Sequence, residues 1–194
     1  MLMGIIAICG SLREESNTNK IVKRVAKASG CESEIIDLGK MEIKPCTGCL
    51  MCTINEGQCV IEDDMQKAYE KLMKADAVII GAPTYFVDIS GAVKDFIDRS
   101  VAIFYRGIGP DYEIEGLGKR PLAGRPGIAV TTVAGSGHER AIETLRIFLQ
   151  INKMNVVAEL AEPVGMSDVD DMPEVMARAE EAGKKLGLSL KQGK

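Results

Sequence analysis

Residues 77–99 read AVIIGAPTYFVDISGAVKDFIDR, and this stretch decides the fold. The run over residues 77–82 is apolar and rich in β-branched side chains, which predicts a strand buried on both faces. Apolar residues then recur at helical spacing at positions 92, 93, 96, 97 and 101. A buried strand followed within a few residues by an amphipathic helix is one unit of an α/β fold.

The same unit repeats along the rest of the chain. Amphipathic helical patterns separate four further predicted strands, over residues 3–9, 33–38, 127–133 and 156–160. Strict alternation implies right-handed crossovers and therefore a doubly wound parallel sheet. Five strands suit the order 2-1-3-4-5 of flavodoxin-like folds, and we expect a single domain over residues 1–194.

Two segments interrupt the alternation. Residues 44–60 are rich in cysteine and follow the second predicted strand. Because ligands bind outside the carboxyl ends of the strands in open α/β sheets, this segment lies at the ligand-binding edge. Residues 105–126, rich in Gly and Pro, lead into the opposite end of the fourth strand, and we expect a surface or subunit-contact loop there.

Composition excludes several classes of function. Lys and Arg number 24 against 28 Asp and Glu, so the net charge is −4 and no basic field attracts nucleic acid. No apolar run reaches the roughly 18–20 residues that a membrane span needs, and the N-terminal run is interpreted as a strand, not a signal peptide. We therefore expect a cytoplasmic protein with no membrane or nucleic-acid partner, whose six cysteines are reduced or metal-bound.

A polar loop follows the first strand. Residues 10–19 read GSLREESNTN and lead into a helix. Hydroxyls, amides and backbone N–H groups at a helix N-terminus suit a phosphate dianion. The alternative is an ordinary helix start capped by Ser16 or Asn17, and the loop alone does not decide between the two. The candidate phosphate ligands are Ser11, Arg13, Ser16, Asn17, Thr18 and Asn19.

Two further loops follow the third and fourth strands. The first presents aromatic side chains and backbone N–H groups that can hold a flat ring, and a plain strand-to-helix turn is its alternative. The second contains glycines that permit close approach of a ligand. His138 in that loop is interpreted as a solvated side chain, and no residue is assigned as an acid–base catalyst. The candidate ring contacts are Pro83, Thr84, Tyr85, Phe86, Ala134, Gly135 and Gly137.

Four of the six cysteines fall within 14 residues, as Cys46-x2-Cys49-x2-Cys52-x6-Cys59. Three thiolates two residues apart suit the closely spaced corners of a [4Fe–4S] cluster. A structural zinc site usually shows two C-x2-C pairs with a longer spacer between them. The pattern therefore favours an iron–sulfur cluster, with Cys9 and Cys31 outside it.

The first-loop motif and the segment from Pro83 to Arg99 resemble the NAD(P)H-dependent FMN reductase superfamily. The compact cysteine motif is similar to that of iron-sulfur flavoproteins within it. The resemblance implies a flavodoxin-like fold that binds FMN, with the phosphate on the first loop and the isoalloxazine at the loops after strands three and four. It also implies a homodimer or homotetramer.

These features predict a redox flavoprotein that passes electrons between a [4Fe–4S] cluster and FMN. Such a protein couples a one-electron donor such as ferredoxin to a two-electron small-molecule acceptor. The first alternative is an NAD(P)H-dependent FMN or quinone reductase with zinc or no metal at the cysteine loop. The second is a non-catalytic electron carrier or a metal-stabilised binding module. If the predicted strand order holds, the cysteine loop lies closer to a neighbouring subunit's flavin than to its own.

Overall fold

The computed structural model describes residues 4–106 and 120–192, and a parallel sheet forms its centre. The strands are β1 (Gly4–Cys9), β2 (Glu32–Asp37), β3 (Ala77–Tyr85), β4 (Asp88–Ile89), β5 (Pro126–Val133) and β6 (Asn155–Pro163). Five of them are parallel in the order β2-β1-β3-β5-β6, and the two-residue β4 pairs antiparallel with the end of β3. The parallel strands confirm the predicted order 2-1-3-4-5.

Helices cover both faces of this sheet. They are α1 (Asn17–Ala28), α2 (Met51–Ile54), α3 (Met65–Lys74), α4 (Gly91–Ser100), α5 (His138–Ile151) and α6 (Pro173–Gln192). Alternate residues of β1 point to opposite faces: Ile5 and Ala7 join the core under α1 and α6, while Ile6 and Ile8 join the core under α3, α4 and α5. Because side chains alternate between the two faces of the sheet, the strands contribute to two separate apolar layers.

Glycines allow unusually close approaches at two points in these layers. A Cβ on Gly10 would lie 2.2 Å from the Gly81 carbonyl oxygen, so β1 can turn into its loop directly against β3. On the other face, a Cβ on Gly183 in α6 would lie 2.3 Å from the Val25 carbonyl oxygen of α1. The backbones of α1 and α6 therefore touch where side chains normally intervene.

The structure differs locally from the sequence-based expectations. β3 continues through Tyr85 and folds back as β4, so the turn predicted over residues 83–86 begins later. The cysteine-rich loop contains the short helix α2, which the sequence analysis did not predict. Of the expected surface or subunit-contact loop over 105–126, residues 107–119 lie outside the described part of the chain. None of the described helices has the length and apolarity that crossing a bilayer requires.

Candidate functional site

The loop after β1 folds over the N-terminus of α1. Ser16 is the N-cap of α1, and its hydroxyl accepts the Asn19 N–H at 3.1 Å. The Asn19 amide in turn clasps Ser11, accepting its N–H at 3.2 Å and donating to its carbonyl at 3.1 Å. The helix is therefore capped as in an ordinary start, and its first-turn N–H groups lie beside the loop for which a phosphate site is predicted.

The remaining candidate phosphate ligands fall into different environments. Arg13 is exposed at the tip of the loop, and its N–H donates to the Ser11 hydroxyl at 3.3 Å. Thr18 is buried, and its hydroxyl lies 2.7 Å from that of Thr132 at the end of β5. Asn17 turns away, donating to the Ser167 carbonyl at 2.8 Å. In the structure described here, Asn17 and Asn19 hold the loop in place through protein contacts.

The β3–β4 hairpin presents the aromatic candidates. Pro83 is buried and Thr84 half-buried, with the Thr84 hydroxyl 3.0 Å from that of Thr131. Tyr85 is 49% exposed and Phe86 is 99% exposed. Phe86 and Val87 form the tight turn with φ of +46° and +61°, a strained conformation for a β-branched residue. The two aromatic rings are thereby offered to solvent instead of to the core.

Contacts with α5 hold this strained turn. The Asp88 carboxylate accepts hydrogen bonds from the Thr144 hydroxyl at 2.8 Å and from Arg140 at 3.0 Å. Burial on its own raises the pKa of Asp88, but hydrogen bonds from the Ile89 N–H, Thr144 and Arg140 outweigh it, so the net pKa is lowered. Asp88 is therefore an ionised anchor for the hairpin.

The loop after β5 meets the hairpin directly. Gly137, the N-cap of α5, has φ of +90°, and a Cβ there would lie 2.5 Å from Cγ1 of Val87. Ala134 and Gly135 are exposed beside it. Across the edge, the Ser90 hydroxyl donates to the Gly10 carbonyl at 3.3 Å. The structure thus brings the three predicted ligand-binding loops together at the carboxyl edge of β1, β3 and β5.

The four clustered cysteines leave the same edge of the sheet, after β2. Cys46 and Cys49 are exposed, while Cys52 and Cys59 are half-buried and pack against the core. Burial raises the pKa of Cys52, with a further contribution from Cys59 and smaller ones from Cys46 and Cys49. Two of the four thiols are therefore exposed in this loop and two are half-buried.

The donor set of this loop fits an iron–sulfur cluster chemically, since four cysteine thiolates are its usual ligands. The backbone turns tightly between the cysteines, with Gly48 and Leu50 both at positive φ. Across the described ranges 4–106 and 120–192, no three ligand-type side chains are already drawn into a metal-binding arrangement. The cysteine loop thus has the donor chemistry of a cluster site.

Comparison with known proteins agrees with both parts of this edge. The model of the NADPH-dependent FMN reductase family matches residues 3–166. Over 160 residues the chain is 34% identical to the iron-sulfur flavoprotein MJ1083 of Methanocaldococcus jannaschii, covering 81% of this chain and 77% of the relative. The chain belongs to the iron-sulfur flavoproteins of the NADPH-dependent FMN reductase family. It is therefore an FMN-dependent oxidoreductase, as the sequence predicted.

Other relatives of this flavoprotein support the assignment. An iron-sulfur flavoprotein of Methanosarcina thermophila is 32% identical over 163 residues, covering 81% of this chain and 78% of the relative. Among solved structures, a flavone reductase superposes with a TM-score of 0.74 at 18% identity, covering 97% of this chain and 63% of that one. An archaeal flavodoxin superposes with a TM-score of 0.60 at 14% identity, covering 97% and 99%. The two structures confirm the flavodoxin-like fold.

One buried ion pair of the flavoprotein was missed by the sequence analysis. Arg99, at the end of α4, pairs with Asp63 through contacts of 2.6 and 3.0 Å. Burial on its own raises the pKa of Asp63, but hydrogen bonds from Arg99 and from the Lys44 and Met65 N–H groups outweigh it, and the net pKa is lowered. The residues are 36 positions apart, so no local pattern could have revealed the contact.

The two cysteines predicted to lie outside the cluster are Cys9 and Cys31. Cys9 is buried in β1, where burial raises the pKa of its thiol to about 11. Cys31 precedes β2 at the opposite end of the sheet from the cysteine loop. Cys9 is the last residue of β1 and is buried in the core under α1 and α6, and Cys31 lies at the other edge of the sheet from the four clustered thiols.

Proposed function

We propose that this flavoprotein passes electrons between FMN and a [4Fe–4S] cluster bound by Cys46, Cys49, Cys52 and Cys59. The cluster supplies single-electron exchange, and FMN accepts one or two electrons. The protein would thereby couple a one-electron donor such as ferredoxin to a two-electron small-molecule acceptor. The observation that carries this proposal is that the four-cysteine loop and the three flavin loops leave the same edge of one sheet.

The proposed FMN site follows the three loops along that edge. The phosphate would bind over residues 11–18, where the exposed Arg13 supplies a positive charge and the N-terminus of α1 supplies N–H donors. Ser16 and Asn19 shape this loop, and Thr18 ties it to β5. The isoalloxazine would lie against the hairpin aromatics and the glycine-rich loop after β5. No side chain is needed as an acid–base catalyst, because water can supply the protons.

Subunit assembly is part of the proposal. β2 lies on one side of β1, whereas β3 and β5, which carry the ring-binding loops, lie on the other. The cysteine loop after β2 is therefore separated from the isoalloxazine of its own subunit by the phosphate site. We propose a single domain over residues 1–194 that works in the cytoplasm as a homodimer or homotetramer. In that assembly the cluster would face a neighbouring subunit's flavin.

A second candidate function has an observation in its favour. The matching family is described as NADPH-dependent. A Bacillus subtilis relative, 29% identical over half of this chain, is named a putative NAD(P)H-dependent FMN-containing oxidoreductase. On this alternative NAD(P)H reduces the flavin directly, and the cysteine loop binds zinc or no metal.

Anaerobic reconstitution with iron and sulfide distinguishes the two functions. Wild-type protein should gain broad visible absorption, four iron and four sulfide per chain, and an EPR signal on reduction, on the stoichiometry of one cubane cluster. Single Cys→Ala variants at positions 46, 49, 52 and 59 should lose that signal and keep FMN, whereas Cys31→Ala should keep both. Binding of one zinc and no iron by the wild type would replace the proposal by the NAD(P)H-dependent alternative.

A further inference from the structure

The base of the cysteine loop is built around a single buried ion pair. The side chains of Arg99 and Asp63 are 0% and 1% exposed. Each guanidinium Nη atom donates to one carboxylate oxygen, Nη1 to Oδ2 at 2.6 Å and Nη2 to Oδ1 at 3.0 Å. Arg supports this planar, two-point geometry and Lys does not. This pair fixes an orientation as well as a distance.

The same pair holds both ends of the loop. Arg99 donates to the Lys44 carbonyl at 2.8 Å on the entering side and to the Ile61 carbonyl at 3.1 Å on the returning side. The Asp63 carboxylate also accepts the Lys44 N–H at 2.9 Å. Residues 44 and 61, which bracket all four clustered cysteines, are thus fastened to one side chain of α4.

A second contact seats the loop on the residues that follow α4. Gly57 is buried with φ of +77°, and a Cβ there would lie 2.5 Å from the Arg106 nitrogen and 2.6 Å from the Ala102 carbonyl oxygen. From the other side, the Tyr69 hydroxyl of α3 donates to the Arg99 carbonyl at 2.8 Å. The loop therefore packs closely against the residues that follow α4, next to the hydrogen bond between α3 and Arg99.

A buried ion pair is a weak source of stability, because desolvation of the two charges offsets their attraction. Apolar residues of similar volume often serve stability equally well. What an apolar pair cannot do is hold three backbone groups of a loop by directed hydrogen bonds. The chemistry of the Arg99–Asp63 pair therefore points to a role in geometry.

We propose that Arg99 and Asp63 are positioning residues that close the cysteine loop at its base, so that the segment carrying its four thiols has fixed ends when metal gathers them. This inference builds on the proposed function, since it assigns a device to the same loop. Without the pair, the ends of the loop separate, and metal binding must first order about seventeen residues, which costs conformational entropy. The pair thus acts on metal affinity through the loop and does not itself touch the metal.

The decisive variant replaces both charges at once, as Asp63→Leu with Arg99→Met, because an apolar pair preserves the core. The probe is Co²⁺, added anaerobically to the FMN-loaded protein, since tetrahedral cobalt thiolate gives distinctive absorption bands. We expect at least a tenfold weaker Co²⁺ affinity and faster hydrogen exchange over residues 44–61, with FMN affinity unchanged. Arg99→Lys keeps the positive charge but loses the two-point hydrogen bonding of the guanidinium, so its Co²⁺ affinity should be intermediate.

The control is Glu159→Leu with Arg146→Met, a partly exposed ion pair at 2.8 Å between α5 and β6, at the opposite edge of the sheet from β2. It should leave both Co²⁺ affinity and loop exchange at wild-type values. Wild-type Co²⁺ affinity and loop exchange in the Asp63/Arg99 double variant would overturn the inference. If that variant does not fold, the same two measurements on Arg99→Lys decide the question. Failure of the wild type to take up iron would refute the proposed function alone, because the cobalt and exchange comparisons do not require iron.

Discussion

Gly137 lies where two of the predicted ring-binding loops touch, so its substitution tests the flavin site directly. Its φ is +90°, and a Cβ would stand 2.5 Å from Cγ1 of Val87 and 2.9 Å from Cβ of Val87. Gly137→Ala incurs about 1–2 kcal/mol for a left-handed backbone and about 1–3 kcal/mol for overpacking. We therefore expect the free energy of unfolding to fall by about 2–5 kcal/mol in the protein without FMN.

Any relief of this clash displaces the Phe86–Val87 turn and with it the exposed aromatic rings, so FMN binding should also weaken by at least tenfold. Urea unfolding measures the first effect, and quenching of FMN fluorescence on titration measures the second. The control is Gly135→Ala in the same loop, where a Cβ meets nothing within 4 Å. It should change either quantity by less than about 0.5 kcal/mol. If the two variants behave alike in both assays, contact between these loops does not organise the site.

The phosphate loop, the α1–α6 contact and a buried thiol give three further tests. Arg13→Ala with Ser16→Ala should weaken FMN binding by about 1–3 kcal/mol per lost charged hydrogen bond, and an unchanged dissociation constant would remove the phosphate from this loop. Gly183→Ala places a Cβ 2.3 Å from a backbone oxygen and should lower the urea midpoint, whereas Gly91→Ala, with open space around it, should not. The pKa of Cys9 is raised to about 11 from 9.0, so between these pH values the unfolded chain ionises first and stability falls as pH rises. In the Cys9→Ala variant, the free energy of unfolding should fall less over this pH range, by up to about 2–3 kcal/mol. If the free energies of variant and wild type fall in parallel, the raised pKa does not belong to Cys9.

Parallel strands could be predicted because they follow from rules that act over the whole chain, whereas the strand order rests on the likeness to flavodoxin-like folds. Alternating buried runs and amphipathic helices force parallel strands and right-handed crossovers, and only a few orders satisfy both. The same rule predicts that the loops after β1, β3 and β5 lie at one edge of the sheet. Cysteine spacing is likewise a local property, so the pattern over residues 46–59 predicts a four-thiolate loop directly.

Contacts between distant residues could not be predicted in this way. Asn17 has the chemistry of a phosphate ligand, yet its partner Ser167 is 150 residues away. The β3–β4 hairpin carries no Gly or Asn at its turn, because Phe86 and Val87 are held there by tertiary contacts of Asp88. The observed geometry differs from the local sequence preference where contacts between helices, strands and loops outweigh that preference.

The N-cap of α4 is Ser90, whose hydroxyl donates to the loop after β1, and Arg99 near the end of α4 lies at the base of the cysteine loop. Nine residues at about 1.5 Å of rise each place these two contacts roughly 14 Å apart along the helix. The distance between the two contacts is therefore set by the number of residues in α4, and changes in loop length do not affect it. One residue added inside α4 would advance Arg99 by about 1.5 Å and rotate it by about 100°, turning the guanidinium away from Asp63. Insertions or deletions in α4 are thus compatible with the Arg99–Asp63 pair only where they keep Arg99 on the same side of the helix.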